Sequence, residues 1–154
     1  MARLIIRQYP DPILRKLCEP VDHTDPSIQK LARDMLDTMY HAQGRGLAAP
    51  QVGIPIQLFV MDPNWKNGTQ TPYICANPDI SALDDTTRKC EEVCLSIPDR
   101  PVMVTRPARV MLRWRDAEDQ TFGHELTGDA AIIAQHEADH LKGRLCIDYE
   151  NSAP

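Results

Sequence analysis

The chain has 154 residues, a net charge of -5 and 42% hydrophobic residues. This length suits one domain that can bury a core of its own without disulfide or metal staples. The acidic balance argues against a DNA or RNA partner, because proteins that bind phosphate backbones usually carry a basic face.

The apolar runs are all too short to cross a membrane, and the N-terminal run of residues 3–6 is too short for the core of a signal peptide. We therefore expect a cytoplasmic protein with no membrane partner. The number of cysteines is odd, which favours reduced thiols over a disulfide framework. They are Cys18, Cys75, Cys90, Cys94 and Cys146.

The start of the chain predicts a short strand and then a helix. Residues 3–6 predict the strand, which the prolines at 10 and 12 end. Thr24-Asp25-Pro26 predicts a helix start, since a capping side chain precedes a proline at the first helical position. Apolar residues continue at helical spacing to Ala42, and Gln43-Gly44 ends the run.

Residues 44–53 form a segment rich in glycine and alanine. Because these side chains are small or absent, a ligand or another backbone can approach the segment closely. The same composition also suits a tight connection between a helix and a strand. The segment does not have the Lys-Ser/Thr ending of a phosphate-binding loop, which argues against nucleotide binding.

The second half of the chain predicts strands and one late helix. Without regular strand-helix alternation, this order predicts a single α+β domain over residues 1–154, with mostly antiparallel sheets packed around a central helix. Asn77-Pro78 is expected to end the strand at 73–76, and Cys94 lies in a further extended segment. The strands are predicted at 56–61, 73–76, 102–106, 109–115 and 121–126.

The late helix carries an H-E-x-x-H box at residues 136–140. At a spacing of four, His136 and His140 lie on one helix face, with Glu137 beside them. Two imidazoles can hold a divalent metal, and the carboxylate can accept a proton from water. A purely structural histidine pair is the alternative, but it does not explain a glutamate in this position within an apolar run. We expect the helix to follow Thr127-Gly128-Asp129 and to run to about Lys142, with Gly143 as its stop.

A catalytic metal needs a third protein ligand. Too few residues follow His140 for a glutamate from another helix, as in thermolysin-like enzymes. Cys146 stands where metzincins place their third histidine, although its neighbours suggest a strand in which it fills the core. Cys94, and less favourably Cys90, would complete a His₂Cys site that suits zinc or ferrous iron.

Three motifs, in the same order, give the chain its resemblance to the peptide deformylase family. The family's G-x-G-L-A-A-P-Q matches residues 44–51, its E-G-C-L-S matches 92–96 except for valine at the glycine position, and its Q-H-E-x-D-H-L matches 135–141. The likeness extends through the first helix and the strand order to nearly the whole chain.

The resemblance implies a hydrolase that removes the formyl group from N-formylmethionyl peptides and releases formate. Glu137 would be the general acid and base, and the Gln51 side-chain amide and the Leu95 N–H would form the oxyanion hole. The metal would be one divalent ion, ferrous iron in the cell, which zinc, nickel or cobalt can replace. Its ligands would be Cys94, His136 and His140.

The same resemblance implies a substrate cleft. Ile133 is expected to form the floor of the slot for the methionine side chain, and Gly46 to let the substrate backbone lie alongside as an added strand. Val93 replaces the family glycine and puts branched bulk at the rim, where it would narrow the range of substrates. The residues expected to bind substrate are Gly44, Gly46, Glu92, Val93, Ile97, Ile132 and Ile133.

Three further expectations follow. Arg106 is predicted to pair with Asp139 behind the metal helix. The tail at 151–154 is too short for the C-terminal helix of many bacterial members, so any transient ribosome contact would be weak or different. The alternative functions are a metal-binding relative with weak or altered activity that recognises formylated N-termini, and a metzincin-like peptidase that uses Cys146.

Overall fold

A computed structural model describes residues 2–150 as an α+β fold of two helices and two antiparallel sheets. Within these residues, neither helix has the length and hydrophobicity that crossing a bilayer requires. The tail at 151–154 lies outside the described residues, so the expectation that it forms no C-terminal helix stays a prediction.

Helix α1 spans Pro26–His41 and begins as the sequence predicts. The Asp25 side chain caps it by accepting a hydrogen bond from the Ser27 N–H, and Pro26 takes the first helical position. Its inner face buries Met35 and Met39 completely. This helix therefore serves as scaffold for the larger sheet.

Five strands form the larger sheet in the order β1-β2-β3-β6-β7, and β4 and β5 form a separate hairpin. All strand pairs are antiparallel. A single parallel bridge joins Glu19 to Ile56 outside the named strands. The strands are β1 Gly46–Ala48, β2 Leu58–Met61, β3 Tyr73–Ala82, β4 Thr87–Cys94, β5 Ile97–Pro107, β6 Val110–Arg115 and β7 Thr121–Leu126.

The predicted first strand at 3–6 is wrong. The Leu4 N–H donates to the side chain of Thr38 in α1, at 2.9 Å, and the N–H of Ala2 just before the segment donates to Asp34 Oδ1 at 3.2 Å. Ile5 is 82% exposed. An apolar run of this length can therefore lie along a helix without pairing as a strand.

The predicted stop at Asn77-Pro78 is also wrong, because β3 continues to Ala82. The register with β6 shifts between Ala76 and Asp79, so a bulge accommodates the proline. Asn77 adopts φ +48°, and its side chain bonds to both backbone groups of Val21. The Asn77-Pro78 pair therefore marks a bulge within β3 and not the end of the strand.

Two short segments differ from their predictions. Residues 44–53 contain strand β1 and a 3-10 turn at Ala49–Val52, where the sequence suggested either a segment that a ligand can approach closely or a tight connection between a helix and a strand. The residues around Cys146 form a 3-10 turn, Cys146–Tyr149, and not a strand, although Cys146 is buried as expected.

Helix α2 spans Gly128–His140 and contains the H-E-x-x-H box. It contacts strands of both sheets, namely β1, β2 and β3 of the larger sheet and β5 of the hairpin. The larger sheet and α2 share a buried core that includes Phe59, Leu112 and Ala134. The box is therefore placed where the hairpin and the larger sheet meet.

Candidate active site

Three side chains from two elements converge into one buried cluster. Cys94 is the last residue of strand β4, and His136 and His140 lie on successive turns of α2. Their ligand atoms all lie within 4.8 Å of one another, and no other group in residues 2–150 meets the same criterion for a metal site. All three are less than 9% exposed.

The spacing of these atoms fits a tetrahedral metal site. Nε2 of His140 lies 3.3 Å from Nε2 of His136 and 3.5 Å from Sγ of Cys94. With metal–N bonds of about 2.0–2.1 Å and a metal–S bond of about 2.3 Å, tetrahedral edges measure about 3.4 Å for N–N and about 3.6 Å for S–N. The two distances from His140 Nε2 therefore match the spacing that coordination requires, and the third lies within 4.8 Å.

Cys146 occupies a different position from Cys94. It is buried in the core beneath the hairpin with Leu14 and Leu145, and that burial raises the pKa of its thiol to about 11. Cys90 is only partly buried on β4. Of the candidate thiols, Cys94 alone joins the two histidines.

A hydrogen bond between His136 and Glu92 fixes the orientation of the His136 ring. Oε1 of Glu92 lies 2.8 Å from Nδ1 of His136, so the ring N–H that faces the carboxylate leaves Nε2 free to bind a metal. Burial opposes a charge on Glu92, but hydrogen bonds from Arg106 and His136 outweigh it and lower the pKa of the carboxyl. The side chain predicted to contact substrate is thus engaged in supporting the histidine.

Arg106 connects this carboxylate to the helix. Its guanidinium donates to both oxygens of Glu92, at 2.6 and 2.9 Å, and to Asp139 Oδ2 at 2.8 Å. The predicted pairing of Arg106 with Asp139 is therefore confirmed. Tyr149 donates its O–H to the same Asp139 oxygen at 2.7 Å, and its ring packs against the guanidinium. No local pattern in the sequence indicates that Tyr149 joins this network.

Glu137 is a buried carboxylate, 4% exposed, with an unused oxygen. Its Oε1 has no hydrogen-bond partner within the described part of the chain. Burial raises the pKa of Glu137 from 4.5 to about 7, which suits a group that exchanges protons near neutral pH. A Cβ on Gly46 would lie 2.5 Å from Glu137 Oε2, so only a glycine leaves room for the carboxylate here.

Gln51 reaches the same site from the 3-10 turn after β1. Its Oε1 accepts the Ala48 N–H at 2.9 Å, which fixes the orientation of the amide. Its Nε2 then donates to Ser96 Oγ at 3.1 Å and lies 3.6 Å from Sγ of Cys94. Ser96 was not among the predicted site residues, although it belongs to the second motif.

The pKa values of the two histidines are shifted in opposite directions. Burial and the neighbouring charge of His136 lower the pKa of His140 well below its usual range, which favours the neutral ring that a metal ligand needs. Burial also opposes a charge on His136, but Glu137, Cys94 and Glu92 outweigh it and raise its pKa. A bound cation would compete with that proton.

A cleft of about 310 Å³ opens beside the cluster and is lined by residues of all three motifs. Ile132 and Ile133 contribute its apolar part, and Val93, 60% exposed, lies at its rim. Ile97 was also predicted to line it, but Ile97 packs in the core with Val102 and Val104 and is not among the described residues that line the cleft.

The motif glycines and Leu95 also lie in this cleft. A Cβ on Gly44 would lie 2.7 Å from Cδ1 of Leu95, so the two walls nearly touch there. The cleft lining includes Gly44, Gly46, Gln51, Glu92, Val93, Cys94, Leu95, Ile132, Ile133, His136 and Glu137.

Comparisons with known proteins agree with this geometry. The sequence profile of the polypeptide deformylase family matches residues 4–153. The peptide deformylase of Bartonella quintana is 47% identical over 140 residues, which cover 91% of this chain and 80% of that protein. The crystal structure of peptide deformylase from Thermotoga maritima superposes with a TM-score of 0.88 at 41% identity, covering 96% of this chain and 97% of that one. The peptide deformylase from Legionella pneumophila gives a TM-score of 0.88 at 37% identity, covering 96% and 85%.

Proposed function

The chain belongs to the peptide deformylase family, whose members are metal-dependent hydrolases that remove N-terminal formyl groups, and from that premise we propose a role for each residue of the site. Its substrates are the formylmethionyl N-termini of nascent peptides. The single domain acts in the cytoplasm, where those chains emerge, with at most transient contact with the ribosome. The observation that carries the proposal is the convergence of Cys94, His136 and His140 beside the unpartnered carboxylate of Glu137.

Cys94, His136 and His140 hold the divalent ion, which is ferrous in the cell and replaceable by zinc, nickel or cobalt. The spacing of the three ligand atoms supports this assignment, and so does the chemistry of one thiolate with two imidazoles. When bound, the ion acts as a Lewis acid toward water and the formyl carbonyl. Glu92 keeps the His136 ring aligned for binding.

Glu137 moves the proton. Its raised pKa and its unpartnered oxygen suit it to take a proton from the attacking water and then to give that proton to the leaving amine. The products are formate and a free N-terminus. Gly46 leaves the space in which the carboxylate sits.

Gln51 and Leu95 stabilise the negative charge that develops on the formyl oxygen. The Gln51 amide is already oriented by Ala48 and lies beside Cys94, and the Leu95 N–H follows Cys94 directly in the chain. Fixed donors of this kind are each worth about 100- to 1000-fold in rate.

The cleft binds the formylmethionyl end of the substrate. Ile132 and Ile133 take the methionine side chain, while the wall of Gly44 and Gly46 and the backbone of Glu92 and Val93 face the peptide. Val93 is exposed at the rim and restricts the residues that follow methionine. Ile97 shapes the site only from the core behind it.

Formate release from formyl-Met-Ala-Ser by anaerobically prepared, iron-loaded protein tests this proposal. We expect turnover by the native chain and its near-complete loss in Glu137→Ala, with metal content retained. Absence of formate from the iron and nickel forms of the native chain would instead favour a protein that only binds formylated N-termini.

A second comparison separates the proposal from a metzincin-like site. We expect Cys94→Ala to lose stoichiometric metal, while Cys146→Ala keeps it, because only Cys94 adjoins both histidines. Metal analysis after gel filtration is the measurement. The reverse pattern would move the third ligand to Cys146.

A further inference from the structure

A short turn after β2 brings a tryptophan and a lysine to the cleft. The 3-10 turn Trp65–Asn67 directs the Trp65 indole N–H to the carbonyl of Gly44, at 2.8 Å. The indole ring also meets the ring of Tyr40 edge-on, with 5.2 Å between centroids. The next residue, Lys66, lines the cleft.

A second hydrogen bond holds the same wall of the cleft, which is formed by residues 44–46. The N–H of Asp62, a fully buried residue, donates to the carbonyl of Arg45 at 2.9 Å. The Asp62 carboxylate accepts hydrogen bonds from the Tyr40 hydroxyl and from the Thr71 N–H. Because the carbonyls of residues 44 and 45 are both tied to the segment 62–65, the position of the turn is fixed relative to the cleft wall.

This wall of the cleft carries an excess of positive charge. Lys66 is exposed and forms no ion pair with any residue of the described chain, and its ammonium lies 5.7 Å from the centre of the Trp65 ring. Arg45 also lines the cleft, but it shares the single carboxylate of Asp129 with Arg88. Among the described residues that line the cleft, Lys66 is thus the cation that has no ion pair, and β4 contributes one exposed acid, Glu91.

The register of the wall indicates which part of a substrate meets this charge. Gly46 packs against Glu137 at the reacting end, and Gly44 lies two residues away, about 7 Å along an extended chain. A peptide whose formylated residue lies beside Gly46 would bring its third residue beside Gly44 and the turn that holds it.

Resting on the proposed deformylase function, we propose that Lys66 is a specificity-determining residue that favours an acidic side chain at the third position of the substrate. Trp65 is the positioning residue that holds the turn against the wall. An exposed ion pair of this kind changes kcat/KM by about 2- to 5-fold. Exposed Glu91 on β4 also lines the cleft and opposes the preference.

The test compares formyl-Met-Ala-Glu-Ser with formyl-Met-Ala-Gln-Ser on the iron-loaded enzyme at low salt. We expect a glutamate-to-glutamine ratio of kcat/KM of about 2–5 in the native chain. The ratio should fall to about 1 in Lys66→Gln and below 1 in Lys66→Glu. Lys142→Gln removes the same charge outside the cleft and should leave the ratio unchanged. Near 1 M salt, where the Debye length is about 3 Å, the native preference should disappear.

The outcomes separate this inference from the function on which it rests. Formate release with equal ratios in the native chain and Lys66→Gln would overturn the role of Lys66 and leave the deformylase function intact. A lower rate on both substrates with an unchanged ratio would show that Lys66 supports structure only, which also overturns it. Absence of formate from every substrate would remove both proposals.

Discussion

The carboxylate of Glu92 lies 2.8 Å from Nδ1 of His136 and is itself held by two hydrogen bonds from Arg106. A proposed metal ligand on α2, His136, is therefore oriented by a side chain of the β4–β5 hairpin. The hairpin supplies one proposed ligand, Cys94, and orients another, so docking of the hairpin against the helix brings the three candidate ligands together.

Glu92→Gln should weaken metal binding by about 10- to 100-fold, because the neutral amide no longer fixes the imidazole as a charged acceptor does. Competition against a chromophoric chelator measures this affinity. Glu91→Gln, the exposed neighbour on the same strand, is the matched control and should bind metal like the native chain. Equal affinity of the two variants would refute an orienting role for Glu92.

Arg106→Ala should lower the free energy of unfolding by about 3–5 kcal/mol, because it leaves Glu92 without its buried counter-ion. Arg109→Ala breaks two exposed pairs, with Asp84 and Glu125, and should cost far less, because water screens exposed ion pairs. Urea unfolding of the metal-free proteins compares them. A loss in Arg106→Ala as small as that in Arg109→Ala would show that the buried network contributes little.

Gly46→Ala should reduce kcat by at least about 100-fold while the metal stays bound. The added methyl would lie 2.5 Å from Glu137 Oε2, so the carboxylate must leave its position. Gly123→Ala is the control, since its nearest contacts would be at 3.7 Å, an ordinary packing distance. A fully active Gly46→Ala protein would contradict the assignment of Glu137 as the proton carrier.

Glu137 should make the metal-free protein less stable as the pH rises. Burial raises its pKa from 4.5 to about 7, so the folded state holds a proton that the unfolded state releases between these values. The stabilising contribution is complete below pH 4.5 and is lost as the pH passes 7, a change of about 3 kcal/mol.

The matching measurement is urea unfolding of the native chain and Glu137→Gln from pH 5 to 8, both without metal. The variant has no charge to bury, so its advantage should grow with pH and reach about 3 kcal/mol above pH 7. A constant difference across this range would mean that the carboxyl titrates normally in the folded protein.

Local patterns predicted the elements whose signals lie within a few residues. The cap at Asp25, strand β7 and the helix that bears His136 and His140 all follow from local chemistry and periodicity. The predictions failed where the partner is distant in sequence. Leu4 and the preceding Ala2 bond to side chains of α1, and at the bulge near Pro78 the side chain of Asn77 bonds to Val21.

The sequence by itself determined that two imidazoles and a carboxylate share a helix face, because helical geometry places residues four apart side by side. It also carried the three motifs on which the family resemblance depended. The tertiary structure brings Cys94, which the family resemblance implied, and not Cys146 against those imidazoles. It alone decided that Ile97 packs in the core and that Glu92 turns toward His136. These outcomes depend on how the hairpin packs against α2, and that contact joins residues more than forty positions apart.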